Sequence, residues 1–181
     1  MAGMLGAVTA SDGTGELAAA TTDARAELET LYANHADALI RALHAAGYPD
    51  AADAVQEAFV QAVVHWRKVS RYDDPLAWVR RVAINRGHNR WRSRQRQKAL
   101  AQRLAATAPP APTPSVPDDD IAQLVASLPQ QQRLALSLFY FADLSVAEVA
   151  DAMELSAGAV KYHLHAARTS LARALEIRDD S

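Results

Sequence analysis

Two stretches of the chain carry side chains suited to contact phosphates and base edges. The first, at residues 75–97, is PLAWVRRVAINRGHNRWRSRQRQ, in which arginines alternate with asparagines, a histidine and tryptophans. The second, at residues 155–171, is LSAGAVKYHLHAARTSL, an alanine-rich run of helical character. Arginine, asparagine, histidine and lysine donate hydrogen bonds to phosphate oxygens and to bases, so both stretches are candidate nucleic-acid surfaces. The donors in the first stretch include Arg80, Arg81, Asn85, Arg86, His88, Asn89 and Arg92.

The net charge of −2 conceals a strongly basic segment. Residues 67–103 hold twelve of the nineteen lysines and arginines and only two acidic residues, whereas the segments on either side are acidic. A local field of this kind favours a phosphate-rich partner even when the overall charge does not. A solvated basic helix is the alternative interpretation. The interleaved tryptophans and asparagines and the acidic flanks favour nucleic-acid contact.

Composition and proline placement predict an all-α protein of two small helical domains joined by a Pro-rich linker. Alanine is the commonest residue, glycine is scarce, and no long alternating run of β-branched residues indicates a sheet. The segment AATAPPAPTPSVP contains five prolines, which prevent a helix from passing through it. The predicted boundaries are residues 1–23 for a flexible N-terminal tail, 24–104 for the first domain, 105–117 for the linker and 118–177 for the second domain.

Helical periodicity predicts the elements of the first domain. Its second helix has an apolar stripe at helical spacing, which leaves the polar residues of that helix on other faces. The stripe consists of Val55, Phe59, Ala62, Val63 and Trp66. Asp73 or Asp74 is predicted to cap the third helix, with Pro75 in its first turn, and this helix continues into the arginines.

The second domain has the pattern of a helix-turn-helix. Ser145 and Glu148 form a predicted capping box that opens a short helix, and Ser156 is predicted to cap a longer one after a tight turn. The apolar stripe of the longer helix consists of Val160, Leu164, Ala167, Leu171 and Leu175. With this stripe turned inward at about 100° per residue, Tyr162 points outward. The small residues 157–159 then allow close approach to a DNA groove. A helical bundle with a polar exterior is the alternative interpretation.

Other classes of protein are disfavoured by what the sequence lacks. The chain has no cysteines, which excludes disulfides and thiolate metal sites and suits a reducing cytoplasm. We find neither a signal peptide nor a membrane-spanning run, so we expect a cytoplasmic protein without membrane insertion. The six histidines form no metal-binding motif, and no phosphate loop or nucleophile–base pair is apparent. We therefore expect no enzyme activity, no cofactor and no metal.

Three segments resemble, in order, the diagnostic segments of bacterial extracytoplasmic-function (ECF) sigma factors, group 4 of the sigma-70 family. They are DAADAVQEAFVQAVVHW, DDPLAWVRRVAINRGHNRWRSR and SLPQQQRLALSLFYFADLSVAEVADAMELSAGAVKYHLHAARTSL. The resemblance implies an alternative sigma factor that binds core RNA polymerase at the beta-prime clamp and the beta flap. It also implies capture and melting of the minus-ten promoter element, recognition of the minus-thirty-five element as duplex, and control by an anti-sigma factor.

The resemblance assigns roles residue by residue. It places polymerase binding on Asp53, Gln56 and Glu57. It places minus-ten contacts on Arg71, Tyr72 and Asp73 in a loop and on Arg81, Asn85, Arg86, His88, Asn89 and Arg92 in the helix that follows. It places minus-thirty-five contacts on Ser156, Gly158, Ala159, Lys161, Tyr162, His165 and Arg168.

The chain departs from the family in its recognition helix. Glu154 stands where the family often has a turn glycine, and His163 and Ala166 stand where it has further basic residues. A helix with fewer cations binds DNA phosphates more weakly, so we expect the free chain to bind duplex promoter DNA weakly. A stand-alone helix-turn-helix regulator is the alternative function. That alternative leaves the acidic second helix and the arginine-rich block without a role.

Overall fold

A computed structural model describes the backbone of residues 12–104 and 120–179 and the side chains of residues 25–103 and 121–176. Within these ranges the chain forms seven α-helices and no strand, which confirms the predicted all-α class. The helices are α1 (Asp12–Ala45), α2 (Ala51–Val69), α3 (Pro75–Leu104), α4 (Asp120–Ser127), α5 (Gln130–Phe141), α6 (Val146–Met153) and α7 (Ala157–Asp179).

The first helix is longer than the sequence indicated. It begins at Asp12, inside the segment that we expected to be a tail up to residue 23. Residues 16–20 are glutamate, leucine and three alanines, which are strong helix formers and favour the extension, whereas Gly13 and Gly15 before them do not. Residues 1–11 and the predicted linker at 105–117 lie outside the described residues, so the four domain boundaries stay predictions.

Helices α1, α2 and α3 pack through their apolar stripes. Leu43 of α1, Val55 of α2 and Val79 of α3 are fully buried. Gly47 ends the α1 segment with φ 84, a left-handed conformation that favours glycine. The cap of α3 comes from Asp74, whose carboxylate Oδ1 accepts a hydrogen bond from the Ala77 amide at 3.0 Å.

The prediction that Val63 belongs to the buried stripe of α2 is wrong. Val63 is 63% exposed, whereas the other four members of the stripe are buried. The reason is angular, because the buried face of α2 is centred near Ala62, and Val63 lies about 100° away from it around the helix axis.

Helices α5, α6 and α7 form the helix-turn-helix unit that the sequence predicted. The capping box is present, since Ser145 Oγ accepts from the Glu148 amide at 3.2 Å and Glu148 Oε2 accepts from the Ser145 amide at 2.9 Å. Ser156 Oγ accepts from the Ala159 amide at 3.1 Å, which confirms the predicted cap of α7. Val149 of α6 and Val160 of α7 are fully buried.

The two sets of helices pack against each other. Leu134 and Leu138 of α5 belong to the same buried cluster as Leu39 and Leu43 of α1. The sequence predicted two tethered modules and gave no sign of this contact, because periodicity identifies a buried face without identifying what covers it.

Substitution of Leu138 by alanine tests this shared core. Because Leu138 is completely buried, Leu138→Ala is expected to lower the free energy of unfolding by about 2–5 kcal/mol. Leu100→Ala is the matched control, since Leu100 is 58% exposed on α3 and its loss is expected to cost less than about 0.5 kcal/mol. Urea denaturation followed by circular dichroism measures both, and equal losses would contradict the assignment of the core.

Candidate nucleic-acid interface

Helix α3 separates its donors onto two faces. At about 100° per residue, residues spaced by three, four or seven share one side of a helix. One side carries Arg81, Asn85, His88, Asn89 and Arg92, which we call the α3 donor face. The other side carries Arg86, Arg90 and Arg94. Of the six predicted minus-ten residues of this helix, five therefore share one face and Arg86 does not.

The second side of α3 is paired with carboxylates. Arg90 contacts Glu57 and also Asp53, with Nη1 at 3.5 Å from the Asp53 carboxylate. Arg86 Nε lies 3.9 Å from the Glu57 carboxylate, and Arg94 contacts Asp50. These arginines therefore hold α3 against α2 and the turn that precedes it. The basic block mixes structural arginines with accessible ones, which its composition alone does not distinguish.

The α3 donor face is open along most of its length. Asn85, Asn89 and Arg92 are exposed, and Arg92 makes no ion pair with any residue that the structure describes. His88 is half-buried, with Nδ1 3.5 Å from the hydroxyl of Tyr48, so it also packs against the core. Arg81, at the N-terminal end of this face, forms an ion pair with Asp151 of α6 at 2.6 Å.

The loop between α2 and α3 carries the other three predicted minus-ten residues. Arg71, Tyr72 and Asp73 are exposed in the turn between α2 and α3, and the Tyr72 ring is 39% exposed. An exposed aromatic ring beside cations can stack an unpaired base while the cations bind phosphate.

Helix α2 presents an outward face of mixed character. Asp53, Glu57, Val60 and Val64 recur at i, i+4, i+7 and i+11, and Gln56 is exposed next to them. Val60 and Val64 are 52% and 67% exposed. Exposed valines among carboxylates are typical of a protein-binding surface. The sequence analysis missed these two valines, although their four-residue spacing was a detectable second stripe.

The turn between α6 and α7 contains a non-glycine residue, Glu154, in the left-handed conformation. Glu154 has φ 55 and ψ 42, the left-handed conformation that glycine adopts most easily. The Leu155 amide donates to the Ala150 carbonyl at 2.9 Å and closes the end of α6. The turn therefore keeps the geometry that a glycine would give, even though the residue is glutamate.

The N-terminal half of α7 is exposed on the side where the sequence predicted Tyr162 to point outward. Tyr162 is 66% exposed, and Gly158, Lys161 and His165 are exposed around it. A Cβ added to Gly158 would meet only Ser156 Oγ, at 3.8 Å, so the fold itself does not require a glycine there. Ala159 is half-buried, and Ser156 is used as the helix cap.

Arg168 is held by two aromatic side chains that the sequence analysis did not connect to it. Its Nε donates to the Tyr140 hydroxyl at 3.2 Å. Its guanidinium carbon lies 5.6 Å from the Phe139 ring centre and 5.7 Å from that of Tyr140, within the range of cation–π attraction. Arg168 is thereby oriented at the edge of the α7 surface.

The described residues can also be assessed for membrane-spanning helices and for metal-binding groups. None of the described helices is long and apolar enough to cross a membrane. Within the same part of the chain, no group of three or more histidine or acidic side chains could hold a metal ion.

Comparison with known proteins identifies the family. Residues 31–97 match the family model of sigma-70 region 2, and residues 118–171 match that of sigma-70 region 4. The RNA polymerase sigma-E factor of Streptomyces avermitilis is 30% identical over 138 residues, which cover 72% of this chain and 73% of that protein. The ECF RNA polymerase sigma factor SigF of Caulobacter vibrioides is 33% identical over 135 residues, with coverages of 72% and 73%. The chain belongs to the ECF sigma factors of the sigma-70 family.

Solved structures have the same fold as this sigma factor. CnrH in complex with the cytosolic domain of CnrY matches with a TM-score of 0.62 and 25% identity, over 88% of this chain and 94% of that one. The sigma factor RpoE of Bartonella quintana, in complex with the anti-sigma factor NepR, matches with a TM-score of 0.65 and 21% identity, over 86% and 98%.

The Glu148 side chain caps the start of α6, in the region 4 part of the sigma factor. Hydrogen bonds from the Ser145 amide and hydroxyl hold the pKa of the Glu148 carboxyl below its usual range, and Arg80 lowers it further. The carboxylate of Glu148 therefore fixes the start of α6, which in turn positions α7.

Replacement of Glu148 by glutamine tests this dependence. A depressed folded-state pKa stabilises the fold above the unfolded pKa of about 4.3, and this contribution disappears as the pH falls through the folded pKa. Glu148→Gln is expected to cost about 1 kcal/mol at pH 7, and the difference from the parent should vanish in acid. Denaturation at several pH values measures it, with Glu176→Gln as control. A difference that is constant with pH would contradict the role of the charge.

Proposed function

We propose that this sigma factor recruits core RNA polymerase through the outward face of α2 and reads a promoter with two separate surfaces. The α3 donor face and the preceding loop capture the melted minus-ten element, and the N-terminal half of α7 reads the minus-thirty-five element as duplex. The observation that carries the proposal is the presence of two exposed, donor-bearing helices beside one mixed acidic and apolar helix.

The polymerase-binding surface combines charge and apolar area. Asp53, Gln56 and Glu57 supply polar and acidic groups that suit a basic helical partner such as the beta-prime clamp. Val60 and Val64 add apolar side chains at the centre of the same face, where buried anchors contribute most to affinity. The beta flap is proposed as a second contact, made by the region 4 part.

The minus-ten surface suits single-stranded DNA. Tyr72 can stack an unpaired base, Asn85 and Asn89 can donate to and accept from base edges, and Arg71 and Arg92 can bind phosphates. A stretched, unpaired strand along this face keeps the promoter open without any catalytic step by the protein.

The minus-thirty-five surface suits a major groove. Gly158 leaves room for close approach of the helix N-terminus, which is the part of a recognition helix that enters the groove. Lys161 and Arg168 flank Tyr162 and His165 and are placed to bind phosphates on either side.

We further propose that the protein is not an enzyme and works in the cytoplasm, where core polymerase is. The RpoE relative is bound to the anti-sigma factor NepR, and the CnrH relative to the cytosolic domain of CnrY. An anti-sigma partner that covers the α2 face or the donor faces is therefore proposed here also. A stand-alone regulator, the alternative function, would not need the α2 face.

Reconstituted transcription tests the proposal against that alternative. Core polymerase is incubated with this chain and a library of genomic promoters, and the start sites are sequenced. Promoter-specific initiation that depends on the chain is expected. Asp53→Arg should lower core binding at least tenfold, because it reverses a charge in the interface, while circular dichroism should show that the fold survives loss of the Asp53–Arg90 ion pair. Glu27→Arg, an exposed reversal on α1, is the control. Specific DNA binding with no effect on initiation by core polymerase would favour the stand-alone regulator.

The Lys161→Ala variant provides a sharper test of the α7 surface. Loss of one phosphate contact should weaken binding of the holoenzyme to its promoter and reduce the salt dependence of binding by about one ion. Arg173→Ala is the matched control, because it removes an exposed cation from the same helix about 18 Å further along. Titration at several salt concentrations measures both variants. If Arg173→Ala has the larger effect, the N-terminal half of α7 is not the recognition surface.

A further inference from the structure

Helix α3 contains a glycine that its backbone does not require. Gly87 lies in the interior of α3, where glycine is less favourable than alanine. Its φ is not in the left-handed region, which only Gly47 adopts among the described glycines. A Cβ added to Gly87 would lie 3.3 Å from Cγ and from Cδ2 of Tyr48. The absence of a side chain at Gly87 therefore leaves room for the Tyr48 ring to pack on the backbone of α3.

This packing brings the Tyr48 hydroxyl to a residue of the α3 donor face. Tyr48 follows Gly47 in the turn between α1 and α2 and is only 1% exposed. Its hydroxyl oxygen lies 3.5 Å from Nδ1 of His88. Burial raises the pKa of the Tyr48 hydroxyl, so the group keeps its proton and needs an acceptor for it.

The amide of Gln130, which also contacts the Tyr48 hydroxyl, acts as a donor to it. Gln130 Oε1 accepts from Arg133 Nη2 at 2.6 Å, and Gln130 Nε2 donates to the Ala46 carbonyl at 3.0 Å. The hydrogen bond from Gln130 opposes the effect of burial on the pKa of Tyr48, as a donor to the phenolic oxygen does. The acceptor of the Tyr48 proton is therefore His88 Nδ1.

This hydrogen bond determines what His88 can offer to a ligand. A neutral imidazole carries one proton, so an accepting Nδ1 leaves the proton on Nε2. Nε2 has no hydrogen-bond partner among the residues that the structure describes. The centre of the Trp91 ring lies 5.9 Å from that of the His88 ring, with 31° between the two planes, so Trp91 limits rotation of the imidazole. His88 is thus held with a donor, and no acceptor, available on the α3 donor face.

We propose that His88 is a fixed hydrogen-bond donor in minus-ten recognition and that Tyr48 is the positioning residue that fixes it. This inference rests on the proposed function, in which the α3 donor face captures the minus-ten element. Guanine and thymine carry a carbonyl oxygen where adenine and cytosine carry an amino group. A donor binds the carbonyl oxygen and leaves the amino group without a partner. His88 therefore selects guanine over adenine, or thymine over cytosine, at the base that it contacts.

The neighbouring asparagines do not make this selection. The side-chain amides of Asn85 and Asn89 can each donate and accept, so they can pair with a carbonyl oxygen or with an amino group. The imidazole of His88 differs from them only because Tyr48 occupies its acceptor nitrogen.

Competition between promoters tests the proposal in the holoenzyme. Core polymerase with the parent chain or with His88→Ala is given promoters randomised over the minus-ten element. The position whose base preference is lost in His88→Ala is the contacted one. There the parent should favour the carbonyl-bearing base over its amino-bearing counterpart by about three- to tenfold. Tyr48→Phe keeps the ring on Gly87 and removes only the hydroxyl, and it should lower this preference to about twofold or less.

Two further variants separate positioning from folding. A lysine side chain donates and cannot accept. His88→Lys should therefore keep the preference for the carbonyl-bearing base both with and without the Tyr48 hydroxyl. Tyr32→Phe is the matched control, because it removes the hydroxyl of a 45% exposed tyrosine on α1. It should leave the preference of the parent unchanged.

Nuclear magnetic resonance of the free chain, labelled at its histidine nitrogens, locates the proton without polymerase. His88 Nδ1 should be unprotonated and hydrogen-bonded in the parent, and its signal should shift in Tyr48→Phe. A proton on Nδ1 in the parent would overturn the proposal. So would a full preference in Tyr48→Phe, a preference for the amino-bearing base, or a minus-ten element with no position that depends on His88. If the parent supports no initiation with core polymerase, the proposed function fails, and the nitrogen signals still decide where the proton lies.

Discussion

The carboxylate of Glu148 connects the helix-turn-helix to helix α3. One of its oxygens accepts hydrogen bonds from Ser145 and starts α6, while the other accepts from Arg80 of α3. The Arg80 side chain is only 10% exposed, so its charge needs this partner. Because α6 positions α7, this carboxylate contributes to the placement of α7 against α3, together with the Arg81–Asp151 ion pair and the buried Leu134 and Leu138.

Apolar packing explains why the residues of the candidate surfaces are accessible. Each of α2, α3 and α7 has one buried stripe, and the side chains that remain on the opposite side are the carboxylates, asparagines, arginines and aromatic rings of the candidate surfaces. On the side of α3 that faces away from the donor face, Arg90 forms ion pairs with Asp53 and Glu57 of α2. The arginines of α3 therefore have two roles. The position of each arginine around the helix axis determines whether it pairs with α2 or stays exposed.

Much of this organisation could be predicted from local sequence signals. Helical periodicity predicted the inward face of α7 correctly at Val160, Leu164 and Ala167, but Leu175 of the same predicted stripe is 48% exposed. Short-range capping rules predicted Ser145 and Ser156 and left Asp73 and Asp74 as alternatives for α3, because such contacts involve residues three positions apart. Val63 was assigned to the core wrongly, since a residue near the edge of a stripe is buried only if a neighbour covers it. The pairs Arg80–Glu148 and Arg81–Asp151 are about seventy residues apart along the chain, beyond the reach of any local pattern.

The account requires three separate surfaces, the outward face of α2 for core polymerase and the α3 donor face and the N-terminal half of α7 for promoter DNA. The most direct test is photo-crosslinking in a reconstituted holoenzyme on promoter DNA, with a photoreactive residue in place of Val64 or of Tyr162. Crosslinking to polymerase from position 64 and to duplex promoter DNA from position 162 is the predicted result. Crosslinking from neither position in a complex that initiates transcription would contradict the account.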